Sequence, residues 1–374
     1  GLVLFEILNV FFIMPMPGSQ EMESIDIAYF LHTYRWLFRI IFSIMITTGF
    51  VSALNSRFKW LSLFSLIVTS AVAYLFNFQL SADKMFLQPH NNIIFKSFRE
   101  NKIAGSRLVI GVENNGESKA YPIEFLTFHH QVQDSIDGKP IIVTYCSVCR
   151  TGRVYEPMVN GHYEKFRLVG MDHFNAMFED ATTKSWWRQS TGEAIAGEMK
   201  GNFLPEVESR QMTIDKWFEL YPRGKVMQPD EGSLINYDSL ARFEQGKSKS
   251  NLTYTDSLSW KDKSWVVGIQ AGNSCKAYDW NDLKNLRIIN DTIGEISVVL
   301  VISSDEQSFI AFENYQDEIF NIKNDTLFSN KGIYDFSGND LKTPSHKLKI
   351  IRAYQEFWHS WRTFHPDTRQ YLPN

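Results

Sequence analysis

Three long apolar runs come first in the chain, before any alternating pattern of apolar and polar positions. They cover residues 2–16, 27–54 and 60–80, and the third has 21 residues without a charge. An α-helix needs about 20 mostly apolar residues to cross a bilayer. The pattern therefore predicts about three transmembrane helices within residues 1–80. Because the chain starts inside the first run, we expect further residues before Gly1.

Charges beside these runs predict the orientation of the anchor. Arg57 and Lys59 lie in the short loop between the second and third runs, and basic loops favour the cytoplasmic side. Arg35 and Arg39 would then lie at the outer end of the second span, where long basic side chains can reach the headgroups. We expect an inner-membrane protein whose soluble domain, from about Ser81 onward, faces the periplasm.

Short alternating runs follow the anchor, and this alternation is typical of half-buried strands. It predicts an α+β, β-rich fold for the soluble part. Asn160-Gly161 predicts a hairpin turn between two strands. The predicted strands cover residues 107–112, 139–145, 153–158, 162–169, 265–269, 296–302 and 309–313, and the predicted helices cover residues 122–128, 213–221 and 353–364.

The soluble part also contains two similar segments. Residues 108–156 and 265–313 align without gaps at an offset of 157, so that Lys119-Ala120-Tyr121 faces Lys276-Ala277-Tyr278. Internal similarity of this kind predicts a duplicated fold with two related halves. The predicted division is an anchor (1–80), a first half (81–227), a polar connector (228–262) and a degenerate second half (263–374).

Composition excludes some classes of protein. The net charge is −4, so there is no basic surface pattern for nucleic acid. No G-x-S-x-G, H-E-x-x-H, phosphate-loop or dinucleotide motif occurs in the sequence. The partners that remain are the lipid bilayer and other envelope proteins.

The richest candidate chemistry is a CxxC turn, Cys146 to Cys149, at the end of a β-branched strand. Two sulfurs at this spacing can form a static disulfide, bind a soft metal such as copper, cycle between dithiol and disulfide, or remain unpaired thiols. A c-type haem is excluded because Arg150 stands where the haem motif has histidine. The second half has Ser303 and Glu306 at the matching positions, so we expect any chemistry in the first half.

Other candidate residues lie near the turn in sequence. His129 is the favoured imidazole, with His130 beside it; adjacent side chains normally point to opposite sides, so at most one faces the cysteines. Residues 170–180 are interpreted as a loop and short helix, or as a wall of a cysteine pocket that adds further metal ligands. The possible additional metal ligands are His130, Met171, His173 and Met177, and a second possible wall contains Trp187, Gln189 and Glu193.

Three blocks in order resemble a known family. They are residues 120–129, the strand end 143–149 and residues 185–197, and together they resemble the bacterial domain-of-unknown-function family 3179, in its membrane-anchored branch from Bacteroidetes-like bacteria. The resemblance covers about residues 90–374. It implies a fold rather than a reaction, and the site residues that it implies are Cys146, Cys149, His129, Trp187, Gln189, Gly192 and Glu193.

The chain departs from the family pattern at the turn itself. Ser147-Val148 replaces the usual Pro-Leu between the cysteines, and Arg150 replaces the usual glycine after them. Two hypotheses remain open. The first is a membrane-anchored envelope protein that handles copper or thiol redox chemistry at the CxxC; the second is a non-catalytic interaction module or complex subunit in which the cysteines form a structural disulfide.

Overall fold

The computed structural model describes residues 1–54, 56–57, 59–80, 82–89, 93–315, 318–343 and 345–373. The chain divides into two compact units. Unit 1 comprises Gly1–Leu87 and Val159–Phe203, and unit 2 comprises Gln88–Met158 and Leu204–Asn374. The predicted boundary at Ser81 lies outside the described residues. The predicted anchor, halves and connector are consecutive stretches of sequence, whereas the two units are defined by contacts between residues. The predicted division therefore stays a prediction.

The N-terminal part of unit 1 is helical. Among the described residues, Arg35–Ala53 and Lys59–Gln79 are long and apolar enough to cross a membrane, and none of their residues is buried. The first apolar run forms only a 10-residue helix, so a third span stays a prediction. The helices are α1 (Leu2–Phe11), α2 (Ile25–Thr33), α3 (Arg35–Ala53), α4 (Lys59–Tyr74), which a π-helical turn (Leu75–Gln79) extends, and α5 (Ala82–Met85); a 3₁₀ turn covers Ser19–Glu21.

The first half of the predicted soluble part alternates between the two units. Unit 2 receives β1 (Phe95–Lys96), β2 (Leu108–Asn114), β3 (Glu117–Pro122), α6 (Ile123–His129), β4 (Gln131–Ile136), β5 (Lys139–Cys146) and β6 (Thr151–Tyr155). Strand β7 (Met158–Val159) lies at the boundary between the two segments. Unit 1 then receives β8 (His162–Tyr163), β9 (Phe166–Asp172), β10 (Asn175–Asp180), β11 (Trp186–Arg188) and β12 (Ala194–Ala196). The chain then returns to unit 2 with β13 (Arg210–Thr213), α7 (Ile214–Leu220), β14 (Lys225–Met227), a 3₁₀ turn (Glu231–Ser233) and α8 (Leu234–Glu244).

The rest of the chain completes unit 2. Its elements are β15 (Trp265–Ala271), β16 (Ser274–Asp279), α9 (Trp280–Leu286), β17 (Ile288–Ile293), β18 (Ile296–Ile302), β19 (Phe309–Glu313), β20 (Asn321–Lys323), β21 (Thr326–Phe328), β22 (Ile333–Tyr334), β23 (Ile350–Ile351), β24 (Ala353–Phe357), α10 (Trp358–Phe364) and β25 (Arg369–Gln370). The β-rich, mixed α and β class predicted from the sequence is therefore confirmed.

Two series of elements in unit 2 have the same order and spacing. The series β2-β3-α6-β4 starts at residues 108, 117, 123 and 131, and β15-β16-α9-β17 starts at 265, 274, 280 and 288, which is 157 residues later in each case. Further strands pair in the same way: β13 is antiparallel to β2 and β24 to β15, while β14 is parallel to β3 and β25 to β16.

A matching glycine–tryptophan contact occurs in each of the two series. A Cβ atom on Gly111 would lie 2.2 Å from the ring of Trp217, and one on Gly268 would lie 2.2 Å from the ring of Trp361. Each indole therefore packs directly on a strand where only hydrogen leaves room for it.

Each unit has its own apolar core. In unit 1, Val169, Met177 and Trp186 of the sheet β12-β11-β10-β9 pack with Ile13 and Ala28 of the N-terminal segment. In unit 2, the strands before and after the CxxC turn bury their inward side chains in the largest cluster of the described residues, which includes Val143, Tyr145 and Val154. The turn is thus attached to rigid, buried strands.

Two predicted elements were wrong. Residues 170–180, expected as a loop and short helix, form the end of β9 and all of β10, joined by a tight turn at His173 and Phe174, which both have positive φ. The helix expected over 353–364 begins only at Trp358. Residues 353–357 form strand β24, because the edge of β15 supplies backbone hydrogen-bond partners that a helix at this place would leave unpaired.

Candidate functional site

The cysteine turn, residues 146–150, connects two buried antiparallel strands of unit 2. Cys146 is the last residue of β5 and pairs with Thr151, the first residue of β6. Both Cys146 and Cys149 are buried, with 0% of their surface exposed. Arg150 has φ +57°, in the left-handed region that favours glycine. The usual glycine of the family pattern thus has a conformational reason at this position.

A lysine from a distant part of the chain holds the turn. Lys263 Nζ donates to the carbonyl oxygen of Val148, the residue before Cys149, at 2.7 Å, and to the carbonyl oxygen of Leu252 at 2.7 Å. Its side chain is 8% exposed, and no carboxylate of the described residues forms an ion pair with it. Burial lowers the pKa of the Lys263 ammonium, and negative charge on Cys149 and Cys146 opposes that shift.

The end of β24 and the start of α10 each contribute a further contact to the turn. The backbone N–H of Phe357 donates to the carbonyl oxygen of Cys149 at 2.9 Å. His359 Nε2 lies 3.1 Å from the carbonyl oxygen of Val148 and 3.2 Å from Lys263 Nζ. Backbone and side-chain groups more than 110 residues away in sequence therefore fix the position of the cysteines.

Arg150 is the largest charged side chain that the turn buries. Its guanidinium donates to Gln355 Oε1 at 2.9 Å and to the carbonyl oxygens of Glu244 and Phe243 at 3.0 and 3.4 Å. It also lies 3.6 Å from the ring centroid of Trp265. Burial lowers the pKa of Arg150. Neutral oxygens and a ring face compensate this charge, and no carboxylate among the described residues forms an ion pair with it.

The two predicted histidines have separate environments. His129 is fully buried at the end of α6, and its Nε2 lies 2.6 Å from the hydroxyl oxygen of Tyr237. His130 has φ +58°, and its Nδ1 lies 2.9 Å from the carbonyl oxygen of Tyr145. Burial lowers the pKa of His130 to about 4, so this imidazole is neutral at physiological pH.

The described residues contain no group of three or more His, Cys, Asp or Glu side chains arranged to hold a metal ion. Closed metal sites with sulfur and imidazole ligands generally use three or four of them. The described part of the chain therefore contains no such cage for copper, and copper binding stays a prediction.

The remaining predicted site residues belong to unit 1. Met177 is fully buried in the core of that unit, and His173 Nδ1 lies 2.8 Å from Asp172 Oδ1. Met171 lies in β9, three residues before the β9–β10 turn ends. The structure thus places these possible metal ligands in a different unit from the cysteines, and their role stays a prediction.

The tryptophan and glutamine block has its own network in unit 1. Trp187 Nε1 donates to Asp180 Oδ2 at 3.0 Å, and Gln189 Oε1 accepts from Asn175 Nδ2 at 3.0 Å. Glu193 Oε2 accepts from Arg188 Nη1 at 2.9 Å. These bonds tie neighbouring segments of one sheet together. That the block forms a wall of the cysteine pocket stays a prediction.

His359 gives the site a testable pH dependence. Burial lowers the pKa of His359 to about 4, and the nearby Lys263 acts in the same direction. Between pH 6.5, where the unfolded imidazole titrates, and pH 4, the unfolded state binds more protons, so stability falls as pH falls. Through His359, the wild type should lose up to about 3 kcal/mol of its free energy of unfolding over this range. We expect the His359→Gln variant, whose side chain can still donate to Val148, to lack this loss.

Denaturant unfolding of the full-length protein at a series of pH values measures this slope. His162→Gln is the matched control, because His162 is exposed. Equal slopes for the wild type and His359→Gln would contradict the prediction.

The fold and the site define a class: a β-rich protein with apolar N-terminal helices and a buried CxxC turn in its larger unit. The family model described as protein of unknown function (DUF3179) matches residues 92–368. The chain belongs to this family, as the sequence blocks predicted. No curated protein and no solved structure matches the chain.

Proposed function

We propose that this protein is a membrane-anchored redox protein in which Cys146 and Cys149 cycle between dithiol and disulfide. The observation that carries the proposal is the buried Lys263 ammonium, which bonds to the turn and interacts electrostatically with its two buried cysteines. A buried charge is costly unless a partner compensates it. A thiolate in the turn provides that compensation, and thiolates are the reactive form of cysteine.

The chemistry consists of two thiol–disulfide exchanges. One thiolate of the turn attacks a sulfur of an external disulfide and releases half of it as a thiolate. The second cysteine then attacks the mixed disulfide, which leaves an internal Cys146–Cys149 bond and releases the other half. Two electrons pass from the cysteine pair to the external disulfide, and the two protons of the pair end on the released thiols.

Burial of both sulfurs sets a condition on this reaction. The attacking sulfur reaches an external disulfide only after the turn opens, which means breaking the contacts of Cys149 with Phe357 and of Val148 with Lys263 and His359. Opening of this kind is local and leaves β5 and β6 paired. The site would therefore react more slowly than an exposed CxxC and would exclude unspecific oxidants.

The proposed setting is the inner membrane, with the larger unit in the periplasm. The two apolar helices and the basic Arg57 and Lys59 between them support this setting. The oxidising periplasm offers disulfides as reaction partners.

The recurrent elements support the further proposal that unit 2 arose by duplication. The equal offsets of 157 residues and the matching glycine–tryptophan contacts favour it. A matching hydrogen bond also occurs in both series, from Tyr121 to Asp134 at 2.7 Å and from Tyr278 to Asp291 at 2.9 Å. In this account the second copy lost the cysteines, while the segments before β15 and after β24 supply Lys263 and His359 to the first.

A redox titration in glutathione buffers tests the proposed function. The protein carries the Cys275→Ser substitution, so that only Cys146 and Cys149 contribute to the thiol count. The full-length variant in detergent is equilibrated at several ratios of oxidised to reduced glutathione. Free thiols are then alkylated and counted by mass spectrometry. We expect both thiols to disappear together in one reversible two-electron step.

Single and double variants separate the alternatives. Cys149→Ser should trap a mixed disulfide between glutathione and Cys146, because the second attack is then impossible. A wild-type pair that stays reduced at every ratio would contradict the proposal. Unfolding of the Cys146→Ser/Cys149→Ser variant, without redox activity in the wild type, would favour the structural-disulfide module, and stoichiometric copper in the purified protein would favour metal binding.

A further inference from the structure

Unit 1 contains a large cavity that the proposed redox chemistry does not use. Its volume is about 1140 Å³, and its lining comes from α1, the α2–α3 region, the end of α4 with its π-helical turn, and strands of the 159–203 segment. Small-molecule sites have volumes of roughly 300–1,000 Å³. The cavity is thus large enough for a ligand with both a polar and an apolar part.

The lining has an excess of positive charge. It contains four basic side chains, Arg35, Arg39, Arg167 and Lys184, but two carboxylates, Glu6 and Glu179. Each carboxylate already has an arginine partner. Glu6 accepts from Arg39 Nε and Nη2 at 2.8 and 2.9 Å, and Glu179 accepts from Arg167 Nε at 2.9 Å.

Arg35 and Lys184 are the basic residues that these pairs leave without a carboxylate partner. Lys184 is exposed and its Nζ donates to the backbone carbonyl of Ala181, so Arg35 is the more buried of the two. Arg35 is half-buried, its Nη1 donates to the backbone carbonyl of His32, and no carboxylate of the described residues forms an ion pair with it. It stands at the first residue of a helix that is apolar enough to cross a membrane. Long basic side chains at the end of a spanning helix can reach the level of the lipid headgroups.

A buried network keeps the adjacent part of the cavity polar and rigid. Glu6 is 1% exposed and accepts from Asn77 Nδ2 at 3.0 Å as well as from Arg39, so α1, α3 and the π-helical turn share one set of bonds. The rest of the lining is largely apolar and includes Trp36 and Phe78. An anionic group at Arg35 would therefore have apolar surface beside it.

We propose that this cavity binds an anionic lipid with a phosphate headgroup, its phosphate on Arg35 and an acyl chain along the apolar lining. Phosphate–arginine contacts are charge-assisted and can be bidentate, and apolar area along the cavity favours a ligand with a chain over a free anion. The location at the end of a membrane-spanning helix gives a lipid direct access.

Lipid binding to the full-length protein in neutral detergent micelles tests this site. The probes are phosphatidylglycerol, phosphatidylcholine with the same acyl chains, and inorganic phosphate, and native mass spectrometry measures the bound fraction. We expect phosphatidylglycerol to bind at least about tenfold more tightly than phosphatidylcholine. Arg35→Gln should abolish this preference and Arg35→Lys should retain most of it.

The matched control is Arg57→Gln, because Arg57 is exposed and does not line the cavity. It should leave the preference unchanged. Three results would overturn the proposal: equal binding of the two lipids, an unchanged preference in Arg35→Gln, or displacement of phosphatidylglycerol by millimolar inorganic phosphate. The last result would identify a site for a free anion. Lipid binding in this assay does not depend on the cysteines. The lipid proposal and the redox proposal can therefore fail separately.

Discussion

An Arg150→Met variant is expected to lose about 3–5 kcal/mol of its free energy of unfolding, because it removes three buried hydrogen bonds from a charged donor. The substitution removes the donors to Gln355 and to the carbonyl oxygens of Phe243 and Glu244. Hydrogen bonds from a charged donor contribute about 1.5–3 kcal/mol each. Gln355 Oε1 and the carbonyl oxygen of Phe243 keep their bonds from Gln211 Nε2 and the Gly246 N–H, while the carbonyl oxygen of Glu244 loses the Arg150 donor. The contact with the ring face of Trp265 is lost as well.

The Arg150→Gly variant distinguishes the energy of the side-chain contacts from the energy of the strained backbone. Glycine adopts the left-handed φ of +57° without strain, and relief of that strain returns roughly 1 kcal/mol. We therefore expect Arg150→Gly to be destabilised, but by about 1 kcal/mol less than Arg150→Met. A glycine variant as stable as the wild type would show that the guanidinium contacts contribute nothing net.

Denaturant unfolding of the full-length protein in detergent, followed by tryptophan fluorescence, measures these differences. Arg352→Met is the matched control, since Arg352 is exposed and pairs with Glu206 at the surface. Exposed pairs of this kind contribute about 0–1 kcal/mol. A loss in Arg150→Met no larger than in the control would contradict the prediction.

The sequence predicts the location of the cysteine turn well, because the signals are local. The β-branched run before Cys146 forms β5 through that residue, and the chain resumes as a strand at Thr151. Period-two alternation acts over a few residues, so it does not depend on what packs against the strand. The family blocks point to the same positions, and the family model matches residues 92–368, which contain them.

The groups that hold the turn could not be predicted, because their contacts carry no sequence signature. Lys263 and His359 act on the backbone carbonyl of Val148, and any residue has a carbonyl there. The segment before Lys263 looks like a polar connector, yet it contains α8, whose last residues supply acceptors for Arg150.

The strand β24 shows a second limit of prediction from the sequence. Tyr354, Phe357, Trp358 and Trp361 have helical spacing, and the sequence therefore favoured one helix over 353–364. The structure instead pairs Ala353–Phe357 with β15 and starts the helix at Trp358. Long-range pairing overrides local periodicity when a strand edge needs a partner. Because Phe357 then donates to Cys149, this misassigned segment is part of the candidate site.

Lys263→Met is expected to have the largest effect on the chemistry of the cysteine pair. The Lys263 ammonium interacts electrostatically with Cys149 and Cys146, and a positive charge favours the thiolate. Removing a neighbouring opposite charge shifts the titration of an acid by about 1–3 pH units. Methionine is uncharged and only one atom shorter than lysine, so it keeps most of the packing on the ring of Phe357, whose centroid lies 4.8 Å from Nζ. We therefore expect a smaller thiolate fraction at neutral pH and a roughly tenfold slower first exchange.

Thiolate absorbance near 240 nm, taken as the difference from the Cys146→Ser/Cys149→Ser variant on a Cys275→Ser background, follows this titration with pH. Lys261→Met is the matched control, because Lys261 is exposed and lies only two residues before Lys263. It should leave the titration midpoint and the exchange rate unchanged. If Lys263→Met left both unchanged while its fold stayed intact, the buried ammonium would serve only to hold the carbonyls of Val148 and Leu252, and the argument for a thiolate in the turn would fail.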